Sequence, residues 1–543
     1  AYRDDPTIMA WELANEPRPM KAGAAFRDWI GETVAMVRSL APHHLVSLGG
    51  EGATPLPASY VGIDVRAEHA HLDFVGIHLW PANWGWLEPV AVEASSESSG
   101  SLGGRNSSAA TAANATLGAA ANASLAAALQ KAKEYIDVHA AVRAPARAAS
   151  ARAPAPAACV SARAPAPAHS PRPDGPLPPR RPPPPGWLRV QVALQLDKPL
   201  VVTAVGAPRA NCSVAGSTWA RDAFLGAVLE TALASRRTGA AAGVLAGVVL
   251  SSWGGEARPR EAGGMWRLGD ALLDPPHEAQ GCASLYDVDS TALRMLYYYA
   301  ARAATPRVCA SRREHAQQHA RAAVAARAAA TRAAARAAAR AEAAAAGEEG
   351  EQEGEAATDS YEAAAAEFGA TSQRAAETRP SPFVTANGTR LYRFGEPYRF
   401  VGANMWYAMH LGAAGAVGGD RPRLLRELDR LQALGIGNIR VLAASEGPDQ
   451  DESWFALGAP TPWRILPSMQ PSPGVYNEAV VAGLDFLLAE MAKRDMTAVL
   501  MLGNMWPWSG GFAQYVSWAA SDRIPYPPPA AGGSWDGYQQ HAR

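Results

Sequence analysis

TIMAWELANEP, residues 7–17, is the stretch on which the fold reading turns. An apolar run bearing Ile8 and Trp11 delivers a polar pair, Asn15 and Glu16, and Pro17 stops it. That is the pattern of a short strand emptying into a loop. The C-terminal end of such a strand is where α/β barrels carry their chemistry. An Asn immediately before a Glu there suits glycoside hydrolysis, with Glu16 protonating the leaving oxygen and Asn15 hydrogen-bonding a sugar 2-hydroxyl. On these two residues alone, a chance Asn-Glu in a turn is the competing interpretation.

Working outward, residues 24–42 carry helical periodicity, 44–52 and 72–80 are further strand-like runs, and 125–142 returns to a helical pattern. Strand and helix alternating at this spacing argue for parallel βα units. Residues 91–126 are Ser/Gly/Ala/Asn-rich and 143–187 Pro/Arg/Ala-rich, compositions that build no packed core. The second stretch reads as a disordered insertion or a translated intron, with a polyproline ligand as a weaker third reading. Folded sequence resumes near residue 195, contains strand-like runs at 198–206 and 243–255, and closes with a helical segment at 290–303. Residues 304–380 form an Ala/Arg/Glu-rich linker whose apolar residues are nearly all Ala, too small to bury much. From 381 to 543 a second unit opens with a hairpin pattern and then alternates strand and helix again.

Bulk composition excludes some functions. With 543 residues and a formal net charge of -1, nothing points to nucleic acid or an anionic membrane as partner. No stretch is apolar for long enough to span a bilayer. The cysteines at 159, 212, 282 and 309 lack metal-ligand spacing, so no metal is expected; Cys212 and Cys282 are the candidate disulfide pair. Five of the eleven Asn stand in N-x-[ST] sequons (Asn106, Asn114, Asn122, Asn211, Asn387), where chance gives roughly one. That leans toward secretion. The first residues already belong to a structured motif, so the chain reads as a fragment whose signal peptide lies elsewhere.

DDPTIMAWELANEPRP (4–19) resembles, almost letter for letter, the acid/base segment of the endo-β-1,4-mannanases of glycoside hydrolase family 5. Further segments match in family order. LVSLGGEG (45–52) is similar to the fifth strand and DFVGIHLWPANWGW (73–86) to the sixth, while GGEARP (254–259) and DPPHEAQGCASLYDVDST (274–291) resemble the end of the barrel. In the second unit, GANMWY (402–407), NIRVL (438–442) and LGNMWPWSGGFAQYVSW (502–518) resemble strands one to three.

The resemblance implies a (β/α)8 TIM barrel written in inverted order, strands 4–8 within residues 1–303 and strands 1–3 within 381–543. Either the chain is a slice of a tandem array, or its two portions pair as a circular permutant across the 304–380 linker. The near absence of a helix joining strands three and four favours the slice.

The implied activity is retaining hydrolysis of β-1,4-mannans by an extracellular enzyme. It needs no cofactor, metal or obligate protein partner. Glu16 would be the acid/base, with Asn15, His78, Trp80, Asn404, Trp406, Arg440 and Trp506 against the sugar.

The family's nucleophile strand departs at the decisive point. Its pattern, Lys-Pro, aliphatic residues, then Glu-Glu-Phe-Gly, laid on Lys198 to Gly206 puts the nucleophile position on Ala204, beside Thr203. A Trp usual under the reacting sugar is replaced by Ser251. Glu51, Asp73 and Glu256 lie near strand ends and read as hydrogen-bonded loop residues, not replacements. The expectation is therefore a mannanase-type site with impaired hydrolysis; the alternative is a catalytically inactive carbohydrate-binding pseudoenzyme.

Overall fold

The computed structural model describes residues 2–19, 23–52, 54, 65–87, 122–136, 196–234, 245–303, 381–415, 418–449, 464–528, 530 and 532–542. The expectations for 143–187, 304–380 and most of 91–126 fall outside these residues.

Eight strands form one parallel sheet. They are β1 (Ile8–Glu12), β2 (Leu45–Ser47), β3 (Val75–Leu79), β4 (Leu200–Val205), β5 (Leu245–Leu250), β11 (Phe400–Asn404), β12 (Asn438–Leu442) and β13 (Thr497–Met501). Every residue of each strand is buried. That is why most of these segments read as largely apolar runs, while β12 alternates through the buried Asn438 and Arg440.

The order is β2-β1-β13-β12-β11-β5-β4-β3. Thus β1 lies beside β13, with Trp11 opposite Leu500, and β5 lies beside β11, with Val248 opposite Val401. The edges of the two portions are paired with each other; an unpaired edge would leave a row of backbone donors and acceptors open to association. Between the outer strands, Asp73 N donates to Val46 O (2.9 Å) and Val46 N to the Asp73 carboxylate (2.8 Å), so the sheet is nearly closed. Parallel strands in a nearly closed ring make this a (β/α)8 barrel.

Two packing layers hold it. Inside, Met9, Phe74, Val201, Val249, Phe400 and Val499 fill the barrel. One end is closed by Val384 and by Leu391 of the antiparallel hairpin sheet β8 (Thr385–Asn387), β9 (Arg390–Arg393) and β10 (Glu396–Tyr398), Val384 standing just before β8. Outside, helices lay one apolar face on the strands. Gly23–Leu40 buries Ile30, Val34 and Val37, and Arg421–Ala433 buries Leu424, Leu428 and Leu431. These i, i+3 and i+4 spacings put the apolar side chains on one stripe.

The helix Arg421–Ala433 starts where the Asp420 side chain accepts from Arg423 N. The last described helix of the first portion, Ser290–Ala303, buries Ala292, Leu296 and Ala300. A helix also covers residues 122–136, where the sequence pattern suggests 125–142. Near the barrel mouth, β6 (Trp253–Gly255) and β7 (Leu285–Tyr286) pair around the long 256–284 loop. Cys212 and Cys282 are disulfide-bonded, tying that loop to the segment after β4.

Candidate active site

The strand β1 turns at its end so that Asn15 N donates to Gly503 O and Glu16 N to Gly49 O, at 2.9 Å each. These bonds bind the Asn-Glu pair to the ends of β13 and β2. Glu16 itself has φ 52°, a left-handed conformation uncommon for a residue with a side chain. Gly49, which accepts it, has φ 78°, and a Cβ there would stand 2.1 Å from Ala14 O. Only glycine fits that turn.

Three donors converge on the Glu16 carboxylate. His78 Nδ1 lies 2.7 Å and Trp80 Nε1 3.0 Å from Oε1, and Trp506 Nε1 lies 2.7 Å from Oε2. Burial pushes this carboxyl up. The His78 hydrogen bond, the electrostatic pull of His78 and Arg18, and the Trp506 bond outweigh it and hold the group at about 2. Arg18 reaches Glu51 at 3.0 Å and stacks over the Trp506 ring, 5.0 Å from its centroid. His78 Nε2 is buried and has no hydrogen-bond partner among the described residues.

Beneath Asn15 runs a buried polar chain. Arg440 Nε donates to Glu12 Oε2 (2.7 Å), Arg440 Nη2 to Asn15 Oδ1 (3.0 Å), and Asn15 Nδ2 to Asn504 Oδ1 (3.1 Å). Asn504 Nδ2 continues it to Ser509 Oγ at 2.9 Å. Glu12 and Asn504 do not stand out in the sequence. Glu12 sits inside an apolar strand, and its partner is 428 residues away in the chain.

A cavity of ≈ 260 Å³ opens above these groups. Of the residues expected at the site, Asn15, Glu16, Trp80, Asn404, Trp406, Arg440 and Trp506 line it, joined by Trp508. His78 does not line it; fully buried, it stands behind Glu16 and holds it. Trp406 Nε1 donates to Leu273 O, and Asn404 Nδ2 to Ser251 Oγ. Asn404 Oδ1 and Trp508 Nε1 are left without partners among the described residues. An aromatic wall with a few unsatisfied polar atoms is suited to a polyhydroxylated ring.

Ala204 is buried on β4 and is the register partner of His78 on β3. A bulge shifts the register between Ile77 and His78, and the pairing sets Ala204 level with His78 at the strand end. Two residues on, Gly206 packs under Trp80, where a Cβ would approach the ring to 2.4 Å. The strand end thus abuts the group that binds Glu16, yet carries no carboxylate.

Glu51, Asp73 and Glu256 are all tied down. Glu51 pairs with Arg18, Asp73 with Arg38 at 2.8 Å, and Glu256 with Arg430 at 2.8 Å as well as Arg426. Among the described residues, no group of three or more His, Cys, Asp and Glu is placed to hold a metal ion.

Similarity to known proteins follows the same outline. The chain spans less than a third of the length of the curated relatives it matches. It is 38% identical over 99 residues to mannan endo-1,4-β-mannosidase 2 of Arabidopsis thaliana, covering 15% of this chain and 23% of the relative. With mannan endo-1,4-β-mannosidase 5 of Solanum lycopersicum it shares 32% over 137 residues, 25% and 28% of the two chains. Among solved structures, the glycoside hydrolase family 5 mannosidase from Rhizomucor miehei matches at 46% identity over 28% of this chain and 34% of that one, TM-score 0.25. The endo-β-1,4-mannanase from Thermotoga petrophila matches at 18% identity over 55% and 44%, TM-score 0.29. The family model for glycoside hydrolase family 5 β-mannosidase-like proteins matches residues 1–104, 187–307 and 381–543, well over half of the chain, and the chain belongs to that family.

Proposed function

We propose that the chain is an endo-β-1,4-mannanase-type glycosidase domain whose retaining mechanism is impaired at Ala204. The observation that carries this reading is Glu16, gripped by His78, Trp80 and Trp506 at the wall of a tryptophan-lined cavity, while the strand neighbour of His78 is alanine. A retaining glycosidase needs two carboxyl groups about 5 Å apart, one to protonate the leaving oxygen and one to attack the anomeric carbon. Glu16 takes the first role, and Asn15, held by Arg440, meets the sugar beside it. Asn404, Trp406 and Trp506 line the ring's seat. A methyl group forms no glycosyl-enzyme intermediate, so the second role is vacant.

The same loss acts on Glu16. A carboxylate opposite would raise its pKa and favour the protonated acid. Without that charge Glu16 stays low, as a carboxylate poorly suited to donate a proton near neutral pH.

The aromatic lining of the cavity, Trp80, Trp406, Trp506 and Trp508, supports a second reading in which sugar binding survives and chemistry does not. Secretion is supported by the Cys212–Cys282 bond and by the exposed sequon residues Asn211 and Asn387.

The test combines reducing-sugar release from locust-bean gum with calorimetric binding of mannopentaose. Binding with little or no turnover is expected. Brisk release that Glu16→Gln abolishes would refute the impairment, and absence of both binding and release would refute the substrate class.

A further inference from the structure

A second cavity, of ≈ 610 Å³, lies outside the catalytic one and shares no lining residue with it. It opens where the helix Gly511–Ala520 runs into residues 521–528. Trp518 and Tyr526 supply its aromatic surface, and Gln514, Asp522 and Arg523 its main polar groups. One acid and one base leave the lining without net formal charge, which favours a neutral ligand over an ion.

Gln514 is the informative residue. Only 4% of it is exposed, yet its amide makes no hydrogen bond with any described residue. Neither amide atom is sealed off by protein, so the free donor and acceptor open onto the cavity. An amide withdrawn from bulk water and left unpaired costs free energy that only an occupant of the cavity returns. The Arg523 guanidinium and Trp518 Nε1 also have no partner among the described residues.

The frame around these groups is fixed. Ser517 Oγ donates to Asp522 O at 2.6 Å, and Arg523 N donates to Asp522 Oδ1 at 2.8 Å. The Trp518 ring packs edge-on against Tyr515, 5.5 Å between centroids. On the far side, Ser534 lines the cavity and caps the helix Trp535–His541, which Tyr538 anchors by donating to Met505 O at 2.9 Å. Rigid aromatic surface with free hydrogen-bonding groups suits a polyhydroxylated ring.

One exposed ring joins the two cavities. Trp535 follows Ser534 and meets Trp506 of the catalytic cavity edge-on, 5.6 Å between centroids. A polymer leaving the catalytic cavity past Trp506 therefore finds an aromatic step toward the second one.

We propose that this second cavity is a separate glycan-binding site, holding a distal stretch of the polymer whose other residues occupy the catalytic cavity. Gln514 and Arg523 hydrogen-bond its hydroxyls, and Trp518 supplies apolar surface for a ring. The ligand's identity as a β-1,4-mannan rests on the reading given above; the site itself rests on the cavity and its unpaired groups.

Gel retardation by locust-bean gum, run on the full chain, tests this with Gln514→Leu and Arg523→Ala. Leu nearly matches the volume of Gln without its amide. Each variant should weaken apparent gum affinity about fivefold, the scale of one lost hydrogen bond. The thermal midpoint of Gln514→Leu should equal or exceed the parent's, because no protein hydrogen bond is lost. A lowered midpoint would make the amide structural and overturn its role. Parental gum affinity in both variants would overturn the site and leave the catalytic-cavity reading standing. Hydroxyethylcellulose is run in parallel. If it alone retards the parent, in a Gln514-dependent way, the mannan reading fails and the site stands; if neither polymer retards the parent, both fall.

Discussion

His78 Nδ1 lies 2.7 Å from Glu16 Oε1, and on the adjacent strand the residue paired with His78 is Ala204. In the proposed two-carboxyl mechanism, that histidine stands between the acid and the position of the missing nucleophile. On the proposed reading, a glutamate at position 204 extends toward the cavity floor near Glu16.

Ala204→Glu should accordingly raise hydrolysis of locust-bean gum by at least ~10-fold, equivalent to about 1.4 kcal/mol of barrier. The new charge should also lift the Glu16 carboxyl from about 2 toward the range of a useful acid. Release should fall back to the parental level in Ala204→Glu/Glu16→Gln. A folded Ala204→Glu protein that is no faster than the parent would refute the placement of Ala204 opposite Glu16.

Stability should depend on pH with a maximum on the acid side of neutrality. Burial raises the folded pKa of Glu51 to about 7, helped by the charge of Glu16 against the pull of Arg18. Burial likewise raises Glu446 to about 7 and Asp274 to about 6. A raised folded pKa gives stability that is complete below the unfolded value, here 4.5 or 3.8, and is lost as pH climbs through 6 to 7. Glu16 has the opposite sign: its folded pKa of about 2 gives stability present above 4.5 and lost as pH falls toward 2. Tm measured from pH 3 to 8 should therefore peak near pH 5. Glu51→Gln with Glu446→Gln should flatten the alkaline limb. A parental Tm that keeps rising from pH 5 to 8 would contradict the assignment.

How far this was legible beforehand depended on the kind of information each residue carries. Strands such as 8–12 and 438–442 announce themselves because both faces are buried and only apolar or specially paired residues survive there. Asn15 and Glu16 are legible because a polar pair at a strand end breaks that pattern. What a residue touches is a different matter. His78 was expected against the sugar, yet it sits behind Glu16, since strand register says which end a side chain is near and not which atom it meets. Glu12 and Asn504 belong to a network whose members lie hundreds of positions apart. Glu278 lies in the segment that resembles the end of the barrel, but its place at the cavity shows only in the structure, where neighbouring His277 stacks on Trp506.

Reducing the Cys212–Cys282 bond should destabilise the fold. The bond spans a sequence separation of 70 residues. Closing a loop of that size restricts the unfolded chain by about 4 kcal/mol on the chain-entropy model. Cys212→Ala/Cys282→Ala should lower Tm by several degrees, and dithiothreitol should lower the parent's Tm but not the variant's. Equal midpoints for oxidised parent and variant would show that the crosslink contributes nothing.

The Glu12–Arg440 pair offers a sharper test of how the site is built. Both side chains are almost wholly buried, 2.7 Å apart, and Arg440 also carries Asn15. Removing one member leaves an uncompensated charge in a dry interior, which costs about 3–5 kcal/mol, whereas replacing both with apolar groups of similar volume is often close to neutral. Arg440→Met and Glu12→Leu should each be strongly destabilising, and the double variant should recover much of that loss in urea unfolding. Recovered stability would not bring back binding. Without Arg440, Asn15 loses the donor to its Oδ1 and keeps only its bond to Asn504, so it is free to turn from the sugar. The double variant should thus be folded yet bind mannopentaose at least ~10-fold more weakly than the parent, the scale of one lost buried hydrogen bond. Additive destabilisation would show that the ion pair is not energetically coupled. Full affinity in the stable double variant would show that Arg440 does not position Asn15.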